Sequence, residues 1–201
     1  MTKIDTTVIL SDAYGFEHLE TTLYGYNNQA YRLFEVIIVT DNNTEDITKI
    51  IAGIAEHVFF DIYIQTKATV LNNSNTEYLI FSNTNTIPRK DYIEQHIAQR
   101  EEGYFITGKT KLFSDAPKIE SNVVYNEDCF DFNWLRENGI DVTERKNTMI
   151  CNTSAWKTNA QQLNTETLFS SKSKLEQHLK RCSLKAKILR NKYICVHLQS
   201  K

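Results

Sequence analysis

Glycine and proline are scarce, with six glycines and two prolines in 201 residues. No glycine-rich phosphate loop follows the first apolar run, and Gly-x-Gly-x-x-Gly is absent. A dinucleotide-binding turn and a P-loop NTPase are therefore not expected. No Gly-x-Ser-x-Gly elbow occurs, which argues against an α/β-hydrolase. Cysteine is sparse and widely spaced, at Cys129, Cys151, Cys182 and Cys195. Without a Cys-x-x-Cys pair there is no zinc cluster to expect, and free thiols in a reducing cytosol are the simplest reading. No apolar run approaches the roughly 18 residues of a spanning helix. The opening MTKIDTTVIL lacks a signal peptide's apolar core, so a cytoplasmic location is expected. Neither charge sign dominates: the formal net charge is -2. Such a chain has no electrostatic pull towards nucleic acid or an anionic membrane.

What is present reads as an ordinary globular chain, 41% hydrophobic and 24% charged. The length suits one domain over 1–201. Thr7 to Ser11 is a short apolar strand. Phe16, Leu19, Leu23 and Tyr26 recur at helical spacing. Phe34 to Val39, FEVIIV, suits a strand buried on both faces. Thr44 to Ala55 carries Ile47, Ile50, Ile51 and Ile54 on one helical face. Thr44 is a potential N-cap, and Glu45 and Asp46 suit the positive helix end. His57 to Ile64 predicts a third strand, Lys67 to Asn73 a short helix and Glu77 to Phe81 a fourth strand. Asp91 to Arg100 predicts a helix beyond Pro88. This alternation argues for an α/β fold with a mostly parallel sheet.

The second half is less regular. Tyr104 to Phe113 and Thr148 to Asn152 predict strands. Asp128 to Asn138 and a short segment around Trp156 predict helices. Ser171 to Cys182 is amphipathic, and the stretches 187–189 and 193–197 close the chain as strands. An extension of the same sheet is expected here, not an independent domain.

In a parallel sheet, ligands collect beyond the carboxyl ends of the strands. Those ends carry Ser11-Asp12, Thr40-Asp41-Asn42-Asn43, Gln65-Thr66-Lys67 and Ser82-Asn83-Thr84-Asn85-Thr86. An aspartate there can accept hydrogen bonds from a base or ribose, and a lysine can face a phosphate. Asp41 is equally at home as a turn residue and Lys67 as a solvated helix residue.

These strand ends resemble a known family. The stretch from Val8 to Ile47 is similar to the start of a family 2 glycosyltransferase of the GT-A fold. Gln29-Ala30-Tyr31 matches the family's turn, and Phe34 to Asp46 matches its second strand and acidic loop. Leu71 to Phe81 resembles the helix and strand that lead to the metal site. Ile150 to Lys157 resembles the strand facing the acceptor, which places Asn152 on the acceptor side. Tyr193 to Leu198 resembles the closing strand that carries a metal-binding histidine, here His197. The resemblance implies a nucleotide-binding half over 1–100 and an acceptor-side half over 101–201. It implies transfer of a sugar from a nucleotide-sugar to a glycan or other acceptor, with inversion by direct displacement. Ser11, Asp41 and Lys67 match donor nucleotide-binding positions.

The departures are as informative. Asn83-Thr84-Asn85-Thr86 stands where the family has its Asp-x-Asp metal loop. Amide and hydroxyl oxygens hold Mg or Mn only weakly without a carboxylate. Lys67-Ala68 replaces an Arg-Asn pair, and Thr40 replaces the first of two aspartates. The segment before Leu175 should supply the base, yet reads Ser-Ser-Lys-Ser-Lys. Glu166 is the nearest remaining carboxylate. Three readings stay open. One is an active, metal-independent transferase in which Lys67, Lys109, Lys172 or Lys174 neutralises the leaving diphosphate. Another is a catalytically inactive GT-A domain that binds a nucleotide, a glycan or a protein partner. The last is a nucleotidyltransferase-like protein. The length leaves room for a partner subunit or a second copy on the acceptor side.

Overall fold

The structure is a computed structural model describing residues 3–12, 15–41, 44–113, 142–143, 151–162, 166, 169, 171–189 and 195–198. Its centre is a seven-stranded sheet in the order β10-β6-β9-β4-β1-β2-β3. The strands are β1 (Thr6–Ser11), β2 (Phe34–Val39), β3 (Ile62–Gln65), β4 (Tyr78–Asn83), β6 (Tyr104–Thr107), β9 (Thr153–Trp156) and β10 (Lys185–Ile188). All pairings are parallel except those of β9, which runs antiparallel to both β4 and β6. A second, four-stranded sheet has the order β5-β11-β7-β8. It comprises β5 (Thr86–Pro88), β7 (Lys111–Phe113), β8 (Val142–Thr143) and β11 (Cys195–Leu198).

The sheet has an apolar layer on each face. One packs α1 (Leu19–Asn27), α2 (Glu45–Ile54) and α4 (Tyr92–Gln99) against Val8, Leu10, Val36, Ile38 and Ile80. The other packs α3 (Val70–Asn73), α5 (Lys157–Ala160) and α6 (Lys172–Arg181) against Ile9, Ile37, Leu79 and Phe81. Alternate residues of β1, β2 and β4 therefore serve opposite layers, and all six residues of each of these strands are buried. Fully burying each such aliphatic or aromatic side chain contributes roughly 1.5–3 kcal/mol. Glu35 is the one acid in these three strands, the second residue of β2 and only 1% exposed. It accepts hydrogen bonds from Thr7 Oγ1 at 2.7 Å and from the Asn75 backbone N–H at 3.2 Å, as a buried carboxylate requires.

Several expectations need correction. His57 is not in a strand: residues Ala55–His57 form a 3₁₀ turn and β3 begins only at Ile62. Phe59 and Phe60 pack on Phe34, with ring centroids 5.5 and 5.0 Å away, and the Asn27 amide brackets the corner through His57 O and Phe59 N. The expected strand 104–113 is two strands in different sheets, broken at Gly108 to Thr110. Asn152 is not a strand residue but left-handed, with φ 58°; β9 starts after it, and Trp156 ends that strand before α5 begins. Thr44 occupies the N-cap of α2 without a side-chain capping bond. The expected helix over 128–138 lies outside the described residues.

The P-loop class needs a structural exclusion as well. Gly103 to Thr110 spells Gly-Tyr-Phe-Ile-Thr-Gly-Lys-Thr, which fits Gly-x-x-x-x-Gly-Lys-Thr. A P-loop is a loop opening a helix, whereas these middle four residues are strand β6, paired to β10 and β9. Cys151, Cys182 and Cys195 are free thiols, as expected. Among the described residues no helix is long and apolar enough to cross a membrane.

Candidate functional site

The parallel register fixes the site. β1 pairs with β2 and β4 so that Ser11 lies between Val39 and Asn83. Each strand then releases its chain at one edge, delivering Ser11-Asp12, Thr40-Asp41, Thr66-Lys67 and the run from Asn83 to the same place. Helix α6 points its amino-terminal end to this edge too. Lys172 in its first turn donates to Gly108 O, just past the end of β6, and one turn later Glu176 accepts from Thr107 Oγ1 at 2.6 Å.

Asp41 and Lys67 meet here across 26 positions of sequence. Lys67 Nζ lies 3.0 Å from Asp41 Oδ2, and the Lys67 backbone N–H donates to Oδ1 at 3.2 Å. The pair is open to solvent, with side chains 37% and 49% exposed. The hydrogen bond from the Lys67 ammonium, helped by its backbone N–H, holds the Asp41 carboxyl below the usual range. An exposed pair of this kind adds little to stability, which leaves both groups available to a ligand. Beside it, Thr40 Oγ1 donates to Asp12 Oδ2 at 2.6 Å. Ser11 is only 2% exposed.

The run after β4 is not the open polar loop its composition suggests. Asn83, Thr84, Asn85 and Thr86 are each at most 1% exposed. They form a tight turn that carries the chain from the first sheet into β5 of the second. Asn83 Oδ1 accepts from the Asn85 backbone N–H at 3.1 Å and from Thr86 Oγ1 at 2.8 Å. Thr84 Oγ1 donates to Gly15 O at 2.6 Å, its N–H to Ser11 O at 3.1 Å, and Thr84 O accepts from Thr22 Oγ1 at 2.8 Å. Turn, β1 and α1 are thereby fastened together. A divalent cation does not fit this donor set. Mg and Mn need oxygens with free lone pairs and usually at least one carboxylate. The turn offers no charge, and its best-placed oxygen already accepts two bonds. Among the described residues no three His, Cys, Asp or Glu side chains stand close enough together to hold a metal ion.

Asn152 belongs to a buried polar chain whose directions can be derived. Its Nδ2 donates to Lys109 O at 2.7 Å, so its Oδ1 must accept from His96 Nε2 at 3.0 Å. The neutral His96 therefore carries its proton on Nε2 and accepts at Nδ1 from Ser154 Oγ, 2.7 Å away. Ser154 Oγ in turn accepts from Tyr78 OH at 2.7 Å. Every member is at most 1% exposed. Burial, and less strongly the nearby Lys172 ammonium, pushes the His96 pKa down to about 3. This chain clamps β4, α4 and β9 together and holds Asn152 in its left-handed geometry.

The remaining predicted positions are spread out. Lys109 and Lys174 are exposed, and Lys172 is 7% exposed. Glu166 is exposed. The backbone of His197 pairs with Thr86, which sets β11 directly beside the turn. Sequence reasoning missed His96, Gly15 and Gly108, and reached Ser154 only as part of the stretch resembling the acceptor-side strand. The one available signal was glycine scarcity, which makes each glycine worth a spatial question.

No protein-family model matches the chain, and no curated protein matches it by sequence. Solved structures do resemble it. TarS of S. aureus, residues 1–349 in complex with UDP-GlcNAc, superposes with a TM-score of 0.64 at 12% identity, over 98% of this chain and 59% of that one. The mannosyltransferase PcManGT from Pyrobaculum calidifontis, in complex with GDP-Man and Mn2+, gives 0.63 at 13% identity over 99% and 57%. Glucosyl-3-phosphoglycerate synthase from Mycobacterium tuberculosis, in complex with phosphoglyceric acid, gives 0.58 at 10% identity over 98% and 73%. At these identities the likeness is one of fold: the chain has the GT-A architecture of nucleotide-sugar glycosyltransferases. It spans about 60% of the TarS 1–349 chain.

Proposed function

We propose that this chain is the nucleotide-sugar-binding domain of a family 2 type glycosyltransferase, which passes a sugar to a glycan or other acceptor. The observation that carries the reading is the Asp41–Lys67 pair at the carboxyl edge of the parallel sheet. It sets an acceptor for base or ribose N–H and O–H groups against a cation for phosphate, at the edge where such sheets bind ligands. The fold neighbours support a donor of this class, since they were captured with UDP-GlcNAc and GDP-Man.

Transfer with inversion needs a base to take the acceptor hydroxyl proton as the new bond to the anomeric carbon forms and the bond to phosphate breaks. Glu166, exposed in the acceptor-side half, is the carboxylate we assign to that step. A second reading has its own support. The buried turn at Asn83–Thr86 lacks any carboxylate, which favours a catalytically inactive GT-A domain that binds a nucleotide, a glycan or a protein partner. In either reading the protein works in the cytoplasm, and a partner subunit or second copy completes the acceptor side.

The donor site is tested by thermal shift with UDP, GDP and their sugar conjugates. The wild-type protein should be stabilised by at least one of them. Asp41→Ala should leave the unliganded melting temperature unchanged and weaken that ligand by at least ~10-fold, the loss of one charge-assisted hydrogen bond. Normal binding by Asp41→Ala would place the nucleotide elsewhere. Sugar transfer by wild type, lost in Glu166→Gln with nucleotide binding intact, separates the active reading from the inactive one.

A further inference from the structure

The orientation of the Asn83 amide is fixed by its neighbours. The Asn85 backbone N–H can only donate, so the atom it meets must be the Asn83 oxygen. Thr86 Oγ1 takes the same oxygen. The amide NH2 is therefore the end that faces away from the turn. That nitrogen is buried and, among the described residues, has no hydrogen-bond partner. It stands at the carboxyl edge of β4, in register with Ser11 of β1. Burying an unsatisfied donor is unfavourable, and an incoming oxygen removes the penalty.

The polarity of this position is opposite to that of a metal site. A carboxylate at position 83 would present lone pairs to a cation, and the cation would meet the ligand's oxygens. Asn83 presents N–H bonds, which can meet such an oxygen without an intermediary. We infer that Asn83 Nδ2 donates directly to a phosphate oxygen of a nucleoside diphosphate, and that this domain binds its nucleotide without a divalent ion. The inference rests on the nucleotide-sugar reading above and specifies how one residue of that site works.

The test is titration calorimetry of UDP and GDP into the full chain, once in EDTA and once in MnCl2, with the electron paramagnetic resonance of Mn2+ followed in parallel. The wild-type Kd should agree within about 2-fold between the two buffers, and protein alone should leave the Mn2+ signal unchanged. Asn83→Asp keeps an oxygen for Asn85 and Thr86 and exchanges the NH2 for a second oxygen. It should weaken binding in EDTA at least ~10-fold. A wild-type protein that takes up Mn2+, or binds nucleotide only with Mn2+, overturns the inference and leaves the nucleotide reading standing. Wild-type affinity in a folded Asn83→Asp also overturns it. Should that variant fail to fold, the wild-type comparison between buffers decides alone. Absence of binding in both buffers defeats the nucleotide reading and the inference together.

Discussion

Gly108→Ala will destabilise this protein by roughly 3–6 kcal/mol, one of the largest losses open to a single methyl group here. A Cβ at that position would stand 2.3 Å from Asn152 Nδ2, 2.6 Å from its Cγ and 2.7 Å from its Oδ1. Those are not the far atoms of a mobile side chain. Nδ2 is tied to Lys109 O and Oδ1 to His96 Nε2, and Asn152 is fully buried. If Asn152 withdraws, two buried hydrogen bonds break; if it stays, the backbones of β6 and β9 must separate. In a chain of this size each kcal/mol lowers Tm by ~2–4 °C, so a fall of roughly 6–24 °C is expected. Gly53→Ala is the control, since a Cβ there meets nothing within 4 Å. It lies inside α2, where alanine is the better helix former by about 1 kcal/mol, and its Tm should rise. Thermal melts of the two variants followed by circular dichroism check both. A Gly108→Ala melt close to wild type would mean that the Asn152 clamp is loose.

Acid will weaken the fold through His96 as the pH falls below about 6.5. The folded pKa of about 3 lies below the ordinary histidine value of 6.5. For a base whose folded pKa is depressed, protons bind the unfolded chain first. Its contribution is therefore complete above about pH 6.5 and is lost as pH falls towards 3. The slope is up to about 1.4 kcal/mol per pH unit, or about 5 kcal/mol over the whole window. The groups around the ring enforce this. Ser154 donates to Nδ1, so a proton there would set two donors face to face. The Lys172 ammonium adds repulsion. Urea unfolding at pH 7, 6, 5 and 4 should show wild type losing stability at each step. His96→Gln should start lower but fall less steeply by about one proton. Parallel curves for the two proteins would remove His96 as the cause.

Much of the first half of this architecture was legible in the sequence. FEVIIV reads as a strand buried on both faces because it is one, and Val39 ends where Thr40-Asp41 turns polar. The strand-end rule brought Asp41 and Lys67 to one edge without knowledge of their contact. What stayed hidden depends on partners remote in sequence. Residues 104–113 carry strand-like composition on both sides of Gly108, so the glycine alone hints at a break whose cause, Asn152, is remote in sequence. Phe59 and Phe60 read as strand residues, yet they pack against Phe34 and Arg32, whose guanidinium lies 4.0 Å from the Phe59 ring centre. The turn at Asn83 has surface composition and a core environment. Its burial follows from a second sheet that only the strands at 86–88, 111–113, 142–143 and 195–198 together create.

That turn also constrains how the lineage can change. An asparagine codon is a single base away from an aspartate codon, so an acidic Asp-x-Asp loop is genetically near. The route is steep nonetheless. Because Asn83 and Asn85 are buried, a first aspartate would arrive without a cation or partner charge to meet it, and an isolated buried carboxylate is strongly disfavoured. Two or more changes would have to arrive together with a metal before either was tolerated. The neutral turn is thus a local optimum, because burial makes each single step towards an aspartate costly.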